Sequence, residues 1–432
     1  MQKNAIFVGV SEKCCTFASS KVENAMRKKT FLMALASMMM TLSACQKDDE
    51  EVKTPEMKTV LIYMSAENSL SYDSEGDLAE IKEGSLALTE EDQLLVYYDR
   101  ARIGELPWLG RIVNGQLTDS VSIADMQISD KDEYASDPHM FEKVLTYAFS
   151  HYPATAGYGL TFWGHASGWL KSDSIAYSRG YGIDNGSNNP NSDTGFWLNI
   201  PTIRKVLETQ PHLEFILADC CNFMCLESLY ELREVTDYVV GSPAEIPDRG
   251  APYHTVVPEM FKRQNAVKGI IQKYADEYPN YLPLSVVNMS EIDALAEATR
   301  TVVKAIYSRL ETDYPDMAET IHYFNTYDSK FYPWYNIYYD AGDFIKKFAT
   351  SEEYSQWKAV ADRAVVEKVF SKSWTVGGIR RTWTSYYSDF EATEEKYHGV
   401  SMFVPQDPEK GYYGRYNEDI KLFAWWWKVF EN

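Results

Sequence analysis

The chain has 432 residues, of which 45% are hydrophobic and 14% aromatic, enough for one large core or two ordinary ones, and this excludes a disordered polypeptide. With 42 basic against 63 acidic residues the formal charge is −21, and without a basic stripe such a surface repels phosphate backbones, so nucleic acid is excluded as a partner. Six cysteines, three of them between positions 220 and 225, do not form the spaced, even set of a disulfide framework.

Met26-Arg27-Lys28-Lys29 is a basic segment, Phe31 to Leu42 is an apolar run too short to span a bilayer, and Leu42-Ser43-Ala44-Cys45 puts small residues before a cysteine. This resembles a bacterial lipoprotein signal. The resemblance implies a signal peptide over 26–44 and a lipid-bearing Cys45, and it makes residues 1–25 the product of a mis-assigned start. An ordinary leader with a chance cysteine is the alternative. Gln46-Lys47-Asp48-Asp49-Glu50-Glu51 opens a polar tether over 45–56, similar to the export tag of Bacteroidetes surface lipoproteins; a plain flexible linker is the other reading. The implied location is the outer membrane, on the cell surface or on its periplasmic face, with the lipid as the sole membrane contact.

From Met57 onward strand-like and helix-like segments alternate. Thr59 to Met64 reads as a buried strand, Leu78 to Leu86 as a short amphipathic helix, and Gln93 to Tyr98 as a second strand. Asn114-Gly115 centres a hairpin within Trp108 to Ile123, and Asp137-Pro138 opens a helix that runs to about Ser150. Tyr158 to Trp163, Leu213 to Ala218, Tyr238 to Gly241 and Leu284 to Val287 are further strands. Lys171 to Asp193 is rich in Ser, Gly and Asn and reads as a long loop. After Ser290 a helix to about Leu310, tyrosine-rich loops, helices near Asp340 to Phe348 and Ser351 to Phe370, a strand over Gly399 to Phe403 and a tryptophan-rich terminal helix complete the pattern. Alternation of this kind predicts an α/β fold with a mostly parallel sheet covered on both faces, and it places reactive groups beyond the carboxyl ends of the strands. The boundaries read as a core over 57–290 and a helix-rich part over 291–432 packed on it.

Two strand ends carry candidate chemistry. His165 follows Tyr158 to Trp163, and Asp219-Cys220-Cys221 follows Leu213 to Ala218. On neighbouring parallel strands an imidazole and a thiol would lie side by side, and the imidazole could hold the thiol as thiolate and later protonate a leaving amine. A structural histidine and buried cysteines are the plainer readings. The cysteine spacing suits zinc poorly, since adjacent cysteines followed by a gap are not the usual spaced pairs.

Trp163-Gly164-His165-Ala166-Ser167-Gly168-Trp169, Asp219-Cys220-Cys221 with Glu227, and Tyr230-Glu231-Leu232 resemble motifs of the clostripain family of cysteine endopeptidases. So do Gly250-Ala251-Pro252-Tyr253, Tyr339-Asp340-Ala341-Gly342-Asp343-Phe344, and the run Gly399 to Pro405. The resemblance spans about Met57 to the C-terminus and implies a caspase-like fold. It implies His165 as acid/base, Cys221 as nucleophile, the N–H groups of Ala166 and Cys221 as oxyanion hole, and Asp219 as the pocket carboxylate that selects Arg or Lys. Asp219 as a helix cap is the competing reading. Ala166 stands where the family has glycine; its N–H is retained. Cys220 and Cys225 read as packing, with a helix starting just after Cys221 whose outer face carries Glu227, Glu231 and Glu234. Self-cleavage in the 171–193 loop would fall at Arg179.

The expected protein is therefore a surface-anchored, monomeric endopeptidase acting on protein or peptide substrates with Arg or Lys. The alternative is an inactive caspase-like lipoprotein that binds peptides. No cofactor is required by this chemistry. Calcium, on which part of the family depends, is the one candidate addition, and the acidic residues are too scattered in sequence to assign it a site.

Overall fold

A nine-stranded sheet runs through the computed structural model, which describes residues 56–170, 180–279, 282–328, 331–371, 392–410 and 413–431. The described residues open with β1 (Lys58–Ala66), α1 (Asp73–Gly84) and β2 (Asp92–Arg100), then the hairpin β3 (Trp108–Val113) and β4 (Gln116–Ser122). At its turn both Asn114 and Gly115 have positive φ, which is what Asn-Gly supplies to a tight hairpin. Helix α2 (Pro138–His151) starts where the Asp137 side chain accepts from the N–H groups of His139 and Met140. Next come β5 (Gly157–Trp163), the short pair β6 (Tyr181–Asp184) and β7 (Phe196–Leu198), α3 (Ile200–Leu207), β8 (Leu213–Asp219), α4 (Leu226–Leu232), β9 (Thr236–Gly241), α5 (Tyr253–Met260), α6 (Ala266–Glu277) and β10 (Leu284–Asn288).

The remainder comprises α7 (Ile292–Arg309), β11 (His322–Asp328), β12 (Phe331–Asp340), α8 (Ala341–Phe348), α9 (Ser351–Ala364), β13 (Val365–Val369), β14 (Ser401–Met402), α10 (Tyr413–Asp419) and α11 (Ala424–Val429). The large sheet has the order β13-β10-β9-β8-β5-β1-β2-β3-β4. Its five middle strands, β2, β1, β5, β8 and β9, pair in parallel, and antiparallel strands close both edges.

All nine residues of β1 are buried, because the strand is covered on both faces. Its alternation divides two cores. Leu61 and Tyr63 pack with residues of α2, α3, α4 and α7, whereas Val60, Ile62 and Met64 pack with those of α1, α5 and α6. Each middle strand therefore ends between two helical layers, and the loops beyond those ends are free to carry chemistry.

Several expectations change. The first helix starts at Asp73 rather than Leu78, with Asp73 and Glu75 in its first turn. Helix α9 stops at Ala364, and the next five residues form β13 against β10, an edge pairing that overrides the helical pattern read through Phe370. The tyrosine-rich segment after α7 is not loop but the paired strands β11 and β12. Part of the 171–193 loop is strand too: β6 pairs with β7, and Ser65 Oγ and Asn68 Nδ2 donate to the carbonyls of Gly182 and Ile183 at 3.0 and 2.8 Å. Arg179 and residues 171–179, like the proposed signal over 26–44 and Cys45, lie outside the described residues. Among the described residues no helix is long and apolar enough to cross a membrane.

Candidate active site

The register of β5 and β8 pairs Trp163 with Asp219. His165 and Cys221 each stand two residues beyond that pair, and both line one cavity of about 210 Å³. Their separation in sequence is closed by a single parallel pairing.

Two glycines shape this wall. Gly164 has φ +138° and Gly168 φ +59°, both in the region that side chains avoid. A Cβ on Gly168 would lie 2.4 Å from the Asn222 carbonyl oxygen, so the loop after His165 rests on the loop after Cys221 through a missing side chain. Ala166 has no positive φ, and the alanine that departs from the family pattern is therefore unstrained. It bridges to Tyr181 through Ser167 N to Gly180 O (3.0 Å) and Gly182 N to His165 O (2.8 Å), a pairing that does not use the Ala166 N–H.

His165 Nε2 lies 3.0 Å from Ser69 Oγ and 3.3 Å from Asp193 Oδ1, and the Ser69 N–H donates to Asp193 Oδ1 at 3.1 Å. Burial raises the Asp193 carboxyl, but the hydrogen bond and charge of His165, with the two donors of Ser69, hold it well below the usual carboxylate range. Neither residue was singled out in the sequence. Ser69 had one usable signal, its place just beyond a parallel strand; Asp193 ended a polar stretch with nothing to distinguish it.

Of the three clustered cysteines only Cys221 reaches the cavity. Cys220 and Cys225 are fully buried in the helical layer, where burial pushes both thiols well up, and Cys225 Sγ bonds Ser228 Oγ at 3.0 Å. The helix expected directly after Cys221 begins only at Leu226, because Asn222 takes a left-handed φ of 55° and turns the chain away. The positive end of a helix dipole is thus not at the thiol. Glu227 and Glu231, expected on an outer face, are buried. Their Oε1 atoms accept the N–H groups of Phe403 and Ala424, both at 2.7 Å, where C-terminal segments close over α4.

Asp219 is 3% exposed at the cavity wall. Its Oδ2 accepts from Ala251 N (3.0 Å) and Tyr253 OH (2.7 Å), and its Oδ1 from Tyr274 OH (2.8 Å). It does not cap α4, whose cap residue is Cys225. Burial pushes its carboxyl up against those three donors, so an arriving cation would find a fixed acceptor that gains by ionising. Gly250 makes this possible, since a Cβ there would meet Asp219 Oδ2 at 2.6 Å. Asp193, Glu245 and Asp248 add acidic groups to the lining, which among the described residues includes no lysine or arginine. The electrostatic character of the cavity is that of a cation receptor beside a thiol. Glu67, Asp99 and Asp184 form a separate buried carboxylate group outside this lining.

A sequence model of the clostripain family matches residues 62–429. No curated protein sequence matches the chain. Among solved structures it is similar to a secreted C11 cysteine protease from Bacteroides thetaiotaomicron, solved in complex with an irreversible peptide inhibitor, at 27% identity and TM-score 0.68 over 87% of this chain and 99% of that one. It is equally similar to an inactive zymogen C11 protease from Parabacteroides distasonis, at 27% identity and TM-score 0.70 over 88% of this chain and 99% of that one. Iotapain, a secreted C11 cysteine protease from Bacteroides thetaiotaomicron, shares the fold at 18% identity and TM-score 0.65, over 87% of this chain and 99% of that one.

Proposed function

Because the chain belongs to the clostripain family of cysteine peptidases, we propose that it is an endopeptidase cutting after arginine or lysine, with Cys221 as nucleophile and His165 as acid/base. The Cys221 thiolate adds to the scissile carbonyl carbon, and the N–H groups of Cys221 and Ala166 receive the negative oxygen. His165 protonates the amine as the C–N bond breaks, leaving a thioester on Cys221. A water that gives its proton to His165 hydrolyses the thioester, releasing the carboxylate and restoring the dyad. With Nε2 held by Ser69 and Asp193, Nδ1 is the ring nitrogen that exchanges the proton.

The observation that carries this reading is one cavity lined by His165, Cys221 and four carboxylates. A guanidinium or ammonium side chain would enter towards Asp219 while its carbonyl lies at the thiol. Fluorogenic peptides with arginine, lysine or aspartate before the reporter test it under reducing conditions. Cleavage of the basic pair alone, abolished in Cys221→Ala, is expected; failure on both basic peptides rejects it.

The likeness to a zymogen supports a further part of the reading, maturation by self-cleavage after Arg179. New N-termini should appear in the parent and not in Cys221→Ala, and an active parent left whole between His165 and Cys221 would reject the step. The chain would act as a monomer at the outer surface, held by lipid on Cys45. Cys45→Ser should release it from membranes, and retention in the membrane fraction would overturn the anchor.

A further inference from the structure

Trp163 and Asp219 are register partners at the ends of β5 and β8, and paired strands lie about 4.8 Å apart. Trp163 packs with Phe215 and Leu217 of β8, while Asp219 bonds Tyr253 of α5 and Tyr274 of α6, so both side chains leave the same face of the sheet. They are 2% and 3% exposed, and both line the cavity that holds His165 and Cys221. The indole N–H of Trp163 is donated to Asp77 Oδ2 at 2.6 Å. Asp77 lies on α1, is 4% exposed, stands outside the cavity lining and has no part in the chemistry above. With its one donor turned to Asp77, the indole offers the cavity only ring carbon.

A cation drawn into this cavity leaves water behind. Asp219 has about four acceptor positions, and three are taken by Ala251 N, Tyr253 OH and Tyr274 OH. It can give the cation a counter-charge and roughly one further hydrogen bond. A guanidinium or ammonium group held there still carries positive charge without a partner, and the side chain beside Asp219 is an indole. The face of a tryptophan ring attracts a cation within about 6 Å of its centre, more strongly when the pair is out of water. The spacing of the two strands brings a cation at Asp219 into that range.

We propose that Trp163 is a specificity-determining residue, the aromatic half of the seat for the substrate's basic side chain, and that Asp77 is the positioning residue that fixes its ring. This assignment rests on the basic-residue reading of the cavity and adds to it a contact besides Asp219. Asp77 works through its bond and not through charge. Burial, followed by the charge of Asp219, pushes its carboxyl up to about 8, so it is mostly protonated at neutral pH. It is an acceptor that turns the indole edge towards α1 and leaves the face to the cavity.

The test uses the Cys221→Ala chain, which can bind peptides without cutting them. Competition titrations compare an arginyl peptide with its citrulline counterpart, which has nearly the same shape and no charge. The preference for arginine over citrulline should fall about threefold in Trp163→Phe, a weaker ring, and about tenfold in Trp163→Leu, which keeps an apolar wall and loses the ring. Asp77→Ala should lower the preference about threefold, and Asp77→Asn, which keeps the acceptor, should hold it within about twofold of the parent. Thermal melts check that each variant is folded, and the phenylalanine variant alone decides if the leucine variant unfolds. An unchanged preference in the folded Trp163 variants, or equal weakening of both peptides, would overturn the aromatic seat. An Asp77→Asn chain that loses as much as Asp77→Ala would overturn the positioning role. An arginyl peptide that does not bind the Cys221→Ala chain with Trp163 in place would reject the basic-residue reading itself, a result distinct from a peptide that binds and ignores the ring.

Discussion

Asp193 Oδ1 lies 3.3 Å from His165 Nε2 while also accepting the Ser69 N–H, so the imidazole is oriented by an anion that is itself anchored to the loop after β1. An imidazole fixed in this way keeps one nitrogen aimed at its task.

Asp193→Asn should keep the fold and a hydrogen bond while removing the charge. The expected result is a fall in kcat/KM of about 10- to 100-fold on a basic peptide, carried mainly by kcat, because the ring has lost the anion that orients it. A loss confined to KM, with kcat unchanged, would mean that Asp193 only shapes the cavity.

The two adjacent thiols separate cleanly by burial. Cys221→Ala should lower peptide cleavage by about 1000-fold or more, since a covalent route is removed. Cys220→Ala should leave the rate within about threefold and cost about 1 kcal/mol of stability, the loss of a small buried group. Denaturant melts beside kinetics on both variants check the pair; an inactive Cys220→Ala with parental stability would move the nucleophile by one position.

The strand ends carrying His165 and Cys221 were legible because glycine, apolar runs and reactive residue types lie together locally, and one parallel register does the rest. Ser69 and Asp193 were not, since they meet His165 only after β6 folds back on β1. The start of α4 was misread for want of one backbone angle, the left-handed φ at Asn222. Glu227 and Glu231 looked like surface because their partners, the backbone N–H groups of Phe403 and Ala424, are supplied from the far end of the chain. The strand β13 hides in a helical pattern for the same reason: β10 chooses it. What escaped sequence reading was in each case decided by a distant partner. The carboxylate group of Glu67, Asp99 and Asp184 belongs here as well, three ordinary acids until three segments converge.

Asp219 offers a specificity test. Its oxygens are held by Ala251, Tyr253 and Tyr274 and cannot turn away from an entering side chain. Asp219→Asn should reduce kcat/KM on arginyl peptides by about 100-fold, roughly 3 kcal/mol, because a desolvated guanidinium loses its counter-charge. Cleavage of a peptide with a neutral residue in that position should change far less. An unchanged ratio between the two substrates would assign Asp219 to holding α5 and α6 in place.

Glu227 gives the chain a pH-dependent weakness. Fully buried under Phe403, its carboxyl is pushed up to about 7 by burial, against the opposing hydrogen bond from the Phe403 N–H. Unfolded, it titrates near ~4.3. Between those values the folded chain holds a proton that the unfolded chain releases, so stability declines as pH rises from about 4 to 7 and the loss is complete above the folded value. The full span corresponds to roughly 3 kcal/mol. Glu227→Gln keeps an acceptor for the Phe403 N–H and cannot ionise. Its stability should match the parent near pH 4 and exceed it at pH 8 by up to roughly 3 kcal/mol, measured by urea unfolding of both chains in the Cys221→Ala background. A stability difference that is the same at the two pH values would mean that Glu227 is ionised throughout, with its charge met by groups beyond Phe403.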